Sequence, residues 1–300
     1  MSAPPTIGAA LGAATTRLEA AGVDEARRDA QVLLGHVLDA GREILIGYPE
    51  RPLTTDQATA FDDLVARRAR REPVAYIVGE REFWSLAFRV TADTLVPRPA
   101  SETVVAAALD TVADRSAPLT LLDLGTGSGC LLLTLLSELA GARGVGVDIS
   151  PAALTVARAN ADRLALSHRA RFLCADWGGA LTGRFDLIVA NPPYVALDEA
   201  LAPEIVDYEP GIALYGGADP LDAYRALAGD LRRLLAPGGS AALEIGQGQA
   251  ASVTALMARE GLVETARHAD LAGIERCLVL RHDGAFSGPR EKTSWNVAAS

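Results

Sequence analysis

An asparagine, two prolines and a tyrosine follow the apolar run FDLIVA, as Asn191-Pro192-Pro193-Tyr194. Consecutive prolines lack the N–H groups that a β-ladder needs, so the strand is expected to stop at Asn191 and a stiff, extended corner to begin. The Asn191 side-chain oxygen and the Pro192 carbonyl can accept the two hydrogens of a planar NH₂ group, and Tyr194 offers that group a flat face. An ordinary Pro-Pro turn explains the prolines but neither the asparagine nor the tyrosine.

The nitrogen of an amide, or of an exocyclic amine on a nucleobase, is a poor nucleophile because its lone pair is delocalised. Two fixed acceptors hold its hydrogens and aim the lone pair at an electrophile, so that proximity and orientation lower the barrier. Asn191, Pro192 and Tyr194 are therefore candidates for catalytic roles, and Pro193 joins them as a candidate for substrate binding. We call these four residues the bracket.

A glycine-rich turn lies upstream, in the sequence DLGTGSG from Asp123 to Gly129. Glycines let a backbone approach a ligand closely, and a helix start offers unpaired N–H groups. The spacing is not the dinucleotide fingerprint GxGxxG, because Cys130 stands where the third glycine would fall. Asp148 ends the next strand, where a carboxylate can accept both hydroxyls of a ribose. A tight turn and a surface acid are the plain alternative, but the two features on consecutive strands favour a nucleoside cofactor.

A third candidate feature is the pair Asp176-Trp177, which follows the third strand of this region. Asp176 can meet the amino group of an adenine, and Trp177 can stack or pack against the ring. A capping aspartate and a core tryptophan explain the pair almost as well. Its place at the same strand-end rim favours the cofactor interpretation.

The composition narrows the classes of function. The 300 residues carry a net charge of −10 and the pI is near 5.0, which argues against a free-standing nucleic-acid binder. No stretch is apolar enough to cross a bilayer, and the N-terminus lacks the basic start of a signal peptide, so we expect a soluble cytoplasmic protein. No metal site is expected, because the cysteines and histidines are scattered. They are Cys130, Cys174, Cys277, His36, His168, His268 and His282.

Residues 1–74 are predicted to form helices. Apolar residues recur at helical spacing from Val23 to Asp39, and Thr54 with Thr55 can cap a second helix. We interpret the arginine run from Arg67 to Arg71 as the solvated end of that helix, favoured by its dipole. Contact with a partner is the alternative for this run.

Around Ala75 to Val96 the sequence becomes rich in residues typical of β-strands, including Tyr76-Ile77-Val78. This pattern predicts a hairpin linker over residues 75–98. From Leu119 onward apolar strands alternate with helices, and Ser150-Pro151 is a strong helix start. Continuous apolar strands separated by helices predict a parallel sheet covered on both faces. This domain is expected over residues 99–282, with a loose tail over 283–300.

In this order the motifs resemble class I S-adenosylmethionine-dependent methyltransferases that act on amino groups. Three further segments resemble one family more closely, the release-factor glutamine methyltransferases (PrmC/HemK). They are GEREFWSLAF (Gly79 to Phe88), LVPRP (Leu95 to Pro99) with Glu102, and EPGIALYGGADPLDAYR (Glu209 to Arg225). The resemblance runs from about Ala10 to His282. The sequence departs from the family where Ala100-Ser101 replace the usual acid and threonine before Glu102.

The resemblance implies an α/β fold: a Rossmann-like class I methyltransferase domain with a mostly parallel, doubly wound sheet, and a small N-terminal helical bundle joined by a β-hairpin. It implies methyl transfer to the glutamine of the Gly-Gly-Gln motif of peptide chain release factors, with the helical domain docking the release factor. The bracket would hold the glutamine. The residues that would hold S-adenosylmethionine are Gly125, Thr126, Gly127, Ser128, Gly129, Asp148, Ile149, Asp176, Trp177 and Asn191.

Three other functions remain to be weighed. A DNA or RNA adenine N6-methyltransferase would need base flipping and a basic channel, against which the acidic composition counts. A nicotinamide-dependent oxidoreductase would leave the bracket and the missing third glycine unexplained. A non-catalytic adaptor of the translation machinery would have no use for both a cofactor loop and a bracket. We therefore predict a protein-glutamine methyltransferase, with no direct contact to nucleic acid.

Overall fold

The computed structural model describes residues 4–284, and it divides into two compact units. One unit contains the chain up to Glu80 together with Leu201–Glu209, and the other contains Arg81–Ala200 and the chain from Pro210 onward. The domain limits predicted from the sequence stay a prediction, and the predicted tail lies outside the described residues from position 285. In chain order the elements are α1 (Ile7–Ala20), α2 (Ala26–Leu38), α3 (Arg42–Gly47), α4 (Thr55–Ala69), α5 (Val74–Val78), β1 (Glu80–Phe83), β2 (Leu86–Arg89), α6 (Glu102–Asp110), β3 (Thr120–Leu124), α7 (Cys130–Glu138), β4 (Arg143–Asp148), α8 (Pro151–Arg163), β5 (Ala170–Cys174), β6 (Phe185–Ala190), α9 (Pro203–Val206), α10 (Asp222–Leu234), β7 (Leu235–Glu244), α11 (Ala250–Arg259), β8 (Leu262–Ala269) and β9 (Glu275–His282).

The first unit is built from helices, as the sequence predicts. The predicted cap of α4 is confirmed: the Thr54 hydroxyl accepts from Gln57 N, and the Gln57 side chain accepts from Thr54 N, which completes a capping box. The apolar positions of α1, α2 and α4 share one buried cluster, which includes Leu18, Leu33 and Phe61. Burial of this common face explains why these amphipathic segments fold as helices.

The β-type interpretation of Tyr76-Ile77-Val78 is wrong, because these residues belong to helix α5. A short apolar run cannot be assigned to helix or strand from periodicity alone. Here Ile77 is buried in the helical cluster, and Gly79 ends the helix with a φ of 77°, a left-handed conformation that glycine adopts without strain. The hairpin itself is present, but it comprises only β1 and β2.

The interpretation of the arginine run as a solvated helix end is also wrong for Arg68 and Arg71. The Arg68 side chain is only 8% exposed and bonds Asp29 at 2.7 Å. Segment Leu201–Glu209 supplies Glu204, whose carboxylate pairs with Arg68 at 3.5 Å and with Arg71 Nε at 3.1 Å. These ion pairs lie within the first unit and tie a segment distant in sequence to its helices.

The second unit contains a seven-stranded sheet in the order β5-β4-β3-β6-β7-β9-β8. The first five of these strands are parallel, which confirms the predicted parallel sheet, and β9 runs antiparallel to both β7 and β8. Neighbouring residues such as Leu121 and Leu122 belong to different buried clusters. Since successive side chains point to opposite faces of a strand, both faces of the sheet are covered.

The hairpin packs on the core of the second unit. Phe83 and Phe88 meet edge to face with ring centroids 6.2 Å apart, and both are buried. The buried Asn160 of α8 accepts from Arg89 N at 2.7 Å and donates to Arg89 O at 3.0 Å and Ser128 O at 2.9 Å. One satisfied amide therefore links the hairpin to the glycine-rich turn. None of the helices within residues 4–284 combines the length and apolar character needed to cross a membrane.

Candidate active site

A cavity of about 410 Å³ lies beside the carboxyl ends of β3, β4, β5 and β6. Ligands of open α/β sheets bind at this edge. All of its lining residues belong to the second unit. It brings together ten of the residues predicted from the sequence. They are Gly125, Thr126, Gly127, Ser128, Asp148, Ile149, Asp176, Trp177, Asn191 and Pro193. The predicted residues Gly129, Pro192 and Tyr194 do not line it.

The glycine-rich turn has the backbone that its sequence predicts. Gly125, Gly127 and Gly129 have φ values of 76°, 54° and 82°, in the left-handed region that favours glycine. A Cβ atom on Gly125 would lie 3.4 Å from the Trp177 ring, and one on Gly127 would meet nothing within 4 Å. Gly129 precedes α7, so the turn delivers the open N-terminus of that helix to the cavity edge.

The Asp148 carboxylate joins this turn to the start of α8. One oxygen accepts from Gly127 N at 2.8 Å and the other from Ser150 N at 2.9 Å. The Ser150 hydroxyl then caps α8 by accepting from Ala153 N, which confirms the predicted helix start. Each carboxylate oxygen has further lone pairs. Asp148 can therefore accept ligand hydroxyls while it holds the turn.

Asp176 and Trp177 border the cavity after β5. Trp177 has a φ of 45°, an uncommon conformation for a large side chain, and its ring packs against one of the two buried clusters. The next residue, Gly178, donates its N–H to Asp230 at 2.9 Å. Trp177 therefore packs in the core, as expected of a purely structural residue, and it also lines the cavity, as expected of a residue that contacts a cofactor.

The bracket divides into two parts at the end of β6. Asn191 lines the cavity and its side-chain NH₂ donates to Ser101 Oγ at 3.2 Å, so the acceptor that remains on this amide is its oxygen. Tyr194 turns inward. Its hydroxyl donates to Glu244 Oε1 at 3.2 Å, and its carbonyl accepts from Gln249 Nε2 at 3.0 Å. Burial raises the pKa of the Tyr194 hydroxyl, which is therefore a donor here.

The loop of residues 210–217 completes the cavity. The sequence analysis did not assign these residues to the site. Val195 N donates to Leu214 O at 3.0 Å, and Gly216 N donates to Val195 O, so the loop pairs with the chain just after the bracket. A Cβ on Gly216 would lie 2.7 Å from Pro193 O, which explains the glycine. Arg98 and Ser101 also line the cavity and were missed. The sequence did contain a signal for both residues, because Arg98 lies within the LVPRP segment of the family resemblance and Ser101 lies just after it.

Asp123 is the next-to-last residue of β3 and the first of the glycine-rich segment, and it is fully buried. Its Oδ2 atom accepts from Thr126 Oγ1 at 2.6 Å and Leu132 N at 3.3 Å, and its Oδ1 atom has no partner among residues 4–284. Burial raises the pKa of Asp123 from 3.8 to about 7, against the two hydrogen bonds and with the help of the Asp148 charge. The folded protein therefore binds this proton more tightly than the unfolded chain does.

This proton predicts a pH dependence of stability. The contribution of this proton to the free energy of unfolding is complete below pH 3.8 and is lost as the pH rises through about 7. Asp123→Asn keeps the shape and stays neutral. Between pH 5 and pH 8 the free energy of unfolding of the wild type should fall relative to that of Asp123→Asn, by on the order of 1 to 3 kcal/mol. Urea unfolding of both proteins measures this difference, and parallel pH profiles would contradict the assignment.

Metal chemistry has no candidate centre in the described part of the chain. No group of three or more His, Cys, Asp or Glu side chains within residues 4–284 is arranged to hold a metal ion. The cavity does suit a nucleoside ligand. Its volume is within the range of small-molecule sites, its glycine turn is open to close backbone approach, and its acid at the end of β4 matches a ribose.

The fold and the site define a class I methyltransferase that uses S-adenosylmethionine. Residues 116–274 match the family model described as "Methyltransferase domain", and residues 9–79 match "PrmC N-terminal domain". A solved methyltransferase from Pyrococcus furiosus shares the fold, with a TM-score of 0.52 and 18% identity over 73% of this chain and 98% of that chain.

Curated relatives identify the family. A release factor glutamine methyltransferase from Rhodospirillum rubrum is 46% identical over 281 residues, which cover 93% of this chain and 86% of the relative. One from Cereibacter sphaeroides is 47% identical over 274 residues, which cover 91% of this chain and 97% of the relative. The chain belongs to the release factor glutamine methyltransferase family.

Proposed function

We propose that this protein methylates the side-chain amide nitrogen of the glutamine in the Gly-Gly-Gln motif of peptide chain release factors, in the cytoplasm. The observation that carries the proposal is the orientation of Asn191. Its NH₂ is engaged by Ser101 beside the cavity, which leaves its oxygen to accept a hydrogen from a substrate amide. The name shared by the relatives supports the choice of release factors as substrates.

The chain's own residues bind the two reactants and orient them. The glycine-rich turn, Asp148, Ile149, Asp176 and Trp177 hold S-adenosylmethionine, which supplies an electrophilic methyl carbon. Asn191 Oδ1 accepts one hydrogen of the glutamine NH₂ at the cavity wall. The Pro192 carbonyl, held by the rigid proline backbone, stays a prediction as the second acceptor, since Pro192 does not line the cavity in this structure. Aiming the nitrogen lone pair is the main contribution, because orientation alone can supply much of the reduction in barrier.

No strong base is needed in this proposal. Attack by the amide nitrogen forms the N–C bond as the carbon–sulfur bond breaks and the sulfur keeps its electron pair. The nitrogen becomes positively charged and strongly acidic, so its extra proton passes to water afterwards. The role of Tyr194 is then to fix the corner from inside through Glu244 and Gln249, and Pro193 contributes the cavity wall next to the substrate.

The test is methyl transfer from labelled S-adenosylmethionine. Three substrates are compared: unmodified release factor, the same release factor with the motif glutamine replaced by alanine, and adenine-containing DNA and RNA. We expect label only in the first. Label in nucleic acid, or equal label in the glutamine-free release factor, would overturn the proposal and in the first case favour the adenine methyltransferase.

We further propose that residues 1–74 dock the release factor. No residue of the first unit lines the cavity, so its helices are available for a separate role. Deleting these residues should leave the affinity for S-adenosylmethionine near normal but lower kcat/KM on intact release factor by about tenfold or more, because remote binding energy is lost. Transfer to a short Gly-Gly-Gln peptide should fall much less.

The deletion also removes Arg68 and Arg71, the partners of Glu204, so the segment that bears Glu204 loses its contacts. The matched control is Glu204→Gln in the full chain, which breaks the same ion pairs and keeps the helices. Docking by the helices predicts that this variant keeps most of its activity on release factor. A truncated, folded protein that is fully active on release factor would contradict the docking role.

A further inference from the structure

A buried polar pair, Ser101 and Glu244, lies behind the bracket. Ser101 ends a 3₁₀ turn before α6, and Glu244 is the last residue of β7. They are 2% and 0% exposed. In the mechanism above they appear only as separate partners of Asn191 and Tyr194. A buried carboxyl group is costly to place in a core unless its oxygens are hydrogen-bonded, so its position calls for an explanation.

Ser101 contacts the nitrogen end of the Asn191 amide. An asparagine side chain has one oxygen and one NH₂ group of nearly equal size, and only the oxygen can accept a hydrogen from a substrate NH₂. The Ser101 oxygen accepts from Asn191 Nδ2 at 3.2 Å. The reversed amide would place its oxygen at Ser101 and would present donors to the donors of the substrate.

A hydroxyl that accepts one hydrogen bond still has its own hydrogen to donate. Glu244, a buried carboxyl group that already accepts from Tyr194, is the candidate acceptor for this hydrogen. Its Oε1 atom accepts from the Tyr194 hydroxyl at 3.2 Å, and its Oε2 atom has no partner among the described residues. Burial raises the pKa of Glu244, and the neighbouring Ser101 hydroxyl, the Tyr194 hydroxyl and the charges of Arg276 and Arg98 oppose that rise. No hydrogen bond between Ser101 and Glu244 is formed among the described residues, and Oε2 is the acceptor that remains for the Ser101 hydroxyl.

We propose that Ser101 and Glu244 are positioning residues for glutamine methylation. Glu244 takes the Ser101 hydroxyl on one oxygen and the Tyr194 hydroxyl on the other. Ser101, with its own hydrogen committed to Glu244, acts only as an acceptor toward Asn191 and so keeps the Asn191 oxygen directed at the substrate. Both ends of the bracket are thus held by a single carboxyl group. This role rests on the proposed function for the identity of the substrate.

The first experiment measures methyl transfer under single-turnover conditions, with a release factor as substrate and thermal melting as the folding control. Ser101→Ala should lower the rate constant about tenfold or more, because the amide is free to reverse, whereas Ser101→Thr keeps the hydroxyl and should stay close to wild type. Glu244→Gln should also lower the rate, because its NH₂ group can donate to Ser101 Oγ and compete with Asn191.

A double-mutant comparison separates positioning from a general structural role. If Ser101 acts through Asn191, then adding Ser101→Ala to Asn191→Ala should cause little further loss of rate. Additive losses, or equal rates for Ser101→Ala and wild type, would overturn the proposal. If Glu244→Gln does not fold, the Ser101 variants and Tyr194→Phe still test the proposal. Tyr194→Phe removes only the hydroxyl that donates to Glu244.

A second measurement does not depend on any substrate. The chain has only three asparagines, Asn160, Asn191 and Asn296, so selective ¹⁵N labelling gives three side-chain NH₂ signals that single substitutions assign. The Asn191 signal should exchange slowly with water in wild type and Ser101→Thr, and faster in Ser101→Ala and Glu244→Gln. An unchanged Asn191 signal in Ser101→Ala would overturn the positioning role. Absence of transfer by the wild type would instead refute the proposed function, and the NMR result would still decide the positioning.

Discussion

Replacing Asn191 with alanine should lower the rate of methyl transfer by on the order of a hundredfold or more, because the substrate lone pair is no longer aimed. The fold should persist. The strand before Asn191 is buried in the sheet, with Ile188, Val189 and Ala190 at 0% exposure, and the two prolines still end it. Affinity for S-adenosylmethionine should change little, since the glycine-rich turn and Asp148 do not depend on this side chain.

The matched variant is Asn191→Asp. It keeps the size and an acceptor oxygen but has no NH₂ to donate to Ser101, and it adds a charge, so we expect a partial loss of rate. Both variants are compared with wild type in single-turnover transfer to a release factor, with thermal melting as the folding control. A well-folded Asn191→Ala protein with near-normal rates would mean that the bracket is only a turn.

Asp148→Ala should weaken the binding of S-adenosylmethionine by about tenfold to a hundredfold. Loss of a charge-assisted hydrogen bond to a buried ribose costs about 1.5 to 3 kcal/mol. The structure adds a second consequence. Gly127 N and Ser150 N lose their acceptor, so some stability is lost as well, and the effect on affinity should exceed it. Calorimetry of S-adenosylmethionine binding measures the first effect, and urea unfolding measures the second.

Ser150→Ala is the control for this prediction. It removes the cap of α8 and should cost about 1 kcal/mol of stability, but it leaves the Asp148 carboxylate in place. Its affinity for S-adenosylmethionine should therefore stay close to that of wild type. Unchanged affinity in Asp148→Ala, or equal losses in both variants, would show that the carboxylate does not bind the ribose.

The sequence predicts those parts of the site that are local. A strand, a glycine turn and a helix are consecutive in the chain, so the cavity position of Gly125 and Gly127 follows from their spacing. Asp148 is predictable because parallel strands end at one edge of the sheet. The corner at Asn191 is predictable because proline cannot continue a ladder. The five parallel strands follow from their continuous apolar runs.

Contacts between distant residues are what the sequence does not reveal. Ser101 meets Asn191 across 90 positions, and Tyr194 meets Glu244 across 50, and no local pattern links these pairs. Tyr194 was expected to face the substrate, but an aromatic residue with a polar tip can also face inward when a buried acceptor exists, and Glu244 is that acceptor. The pairing of Glu204 with Arg71 is hidden for the same reason, across 133 positions.

Neither β8 nor β9 is predicted from the sequence, and for β8 the reason is different. It lies at the edge of the sheet, and after the buried Leu262 the residues VETARHA alternate between exposed and half-buried positions. A polar alternating run of this kind resembles a surface loop unless its partner strand is known. Its partner β9 is more buried, with Cys277, Leu278, Val279 and Leu280 in the core, and the pair closes the sheet antiparallel.

The most direct measurement identifies the atom that receives the methyl group. An unmodified release factor is incubated with the protein and S-adenosylmethionine carrying a labelled methyl, and the modified peptide is sequenced by mass spectrometry. The peptide is then hydrolysed in acid, which converts a methylated glutamine amide into glutamate and methylamine. We expect one labelled methyl on the Gly-Gly-Gln glutamine, recovered as labelled methylamine. Label on another residue, or label on that glutamine which does not yield methylamine, would contradict it.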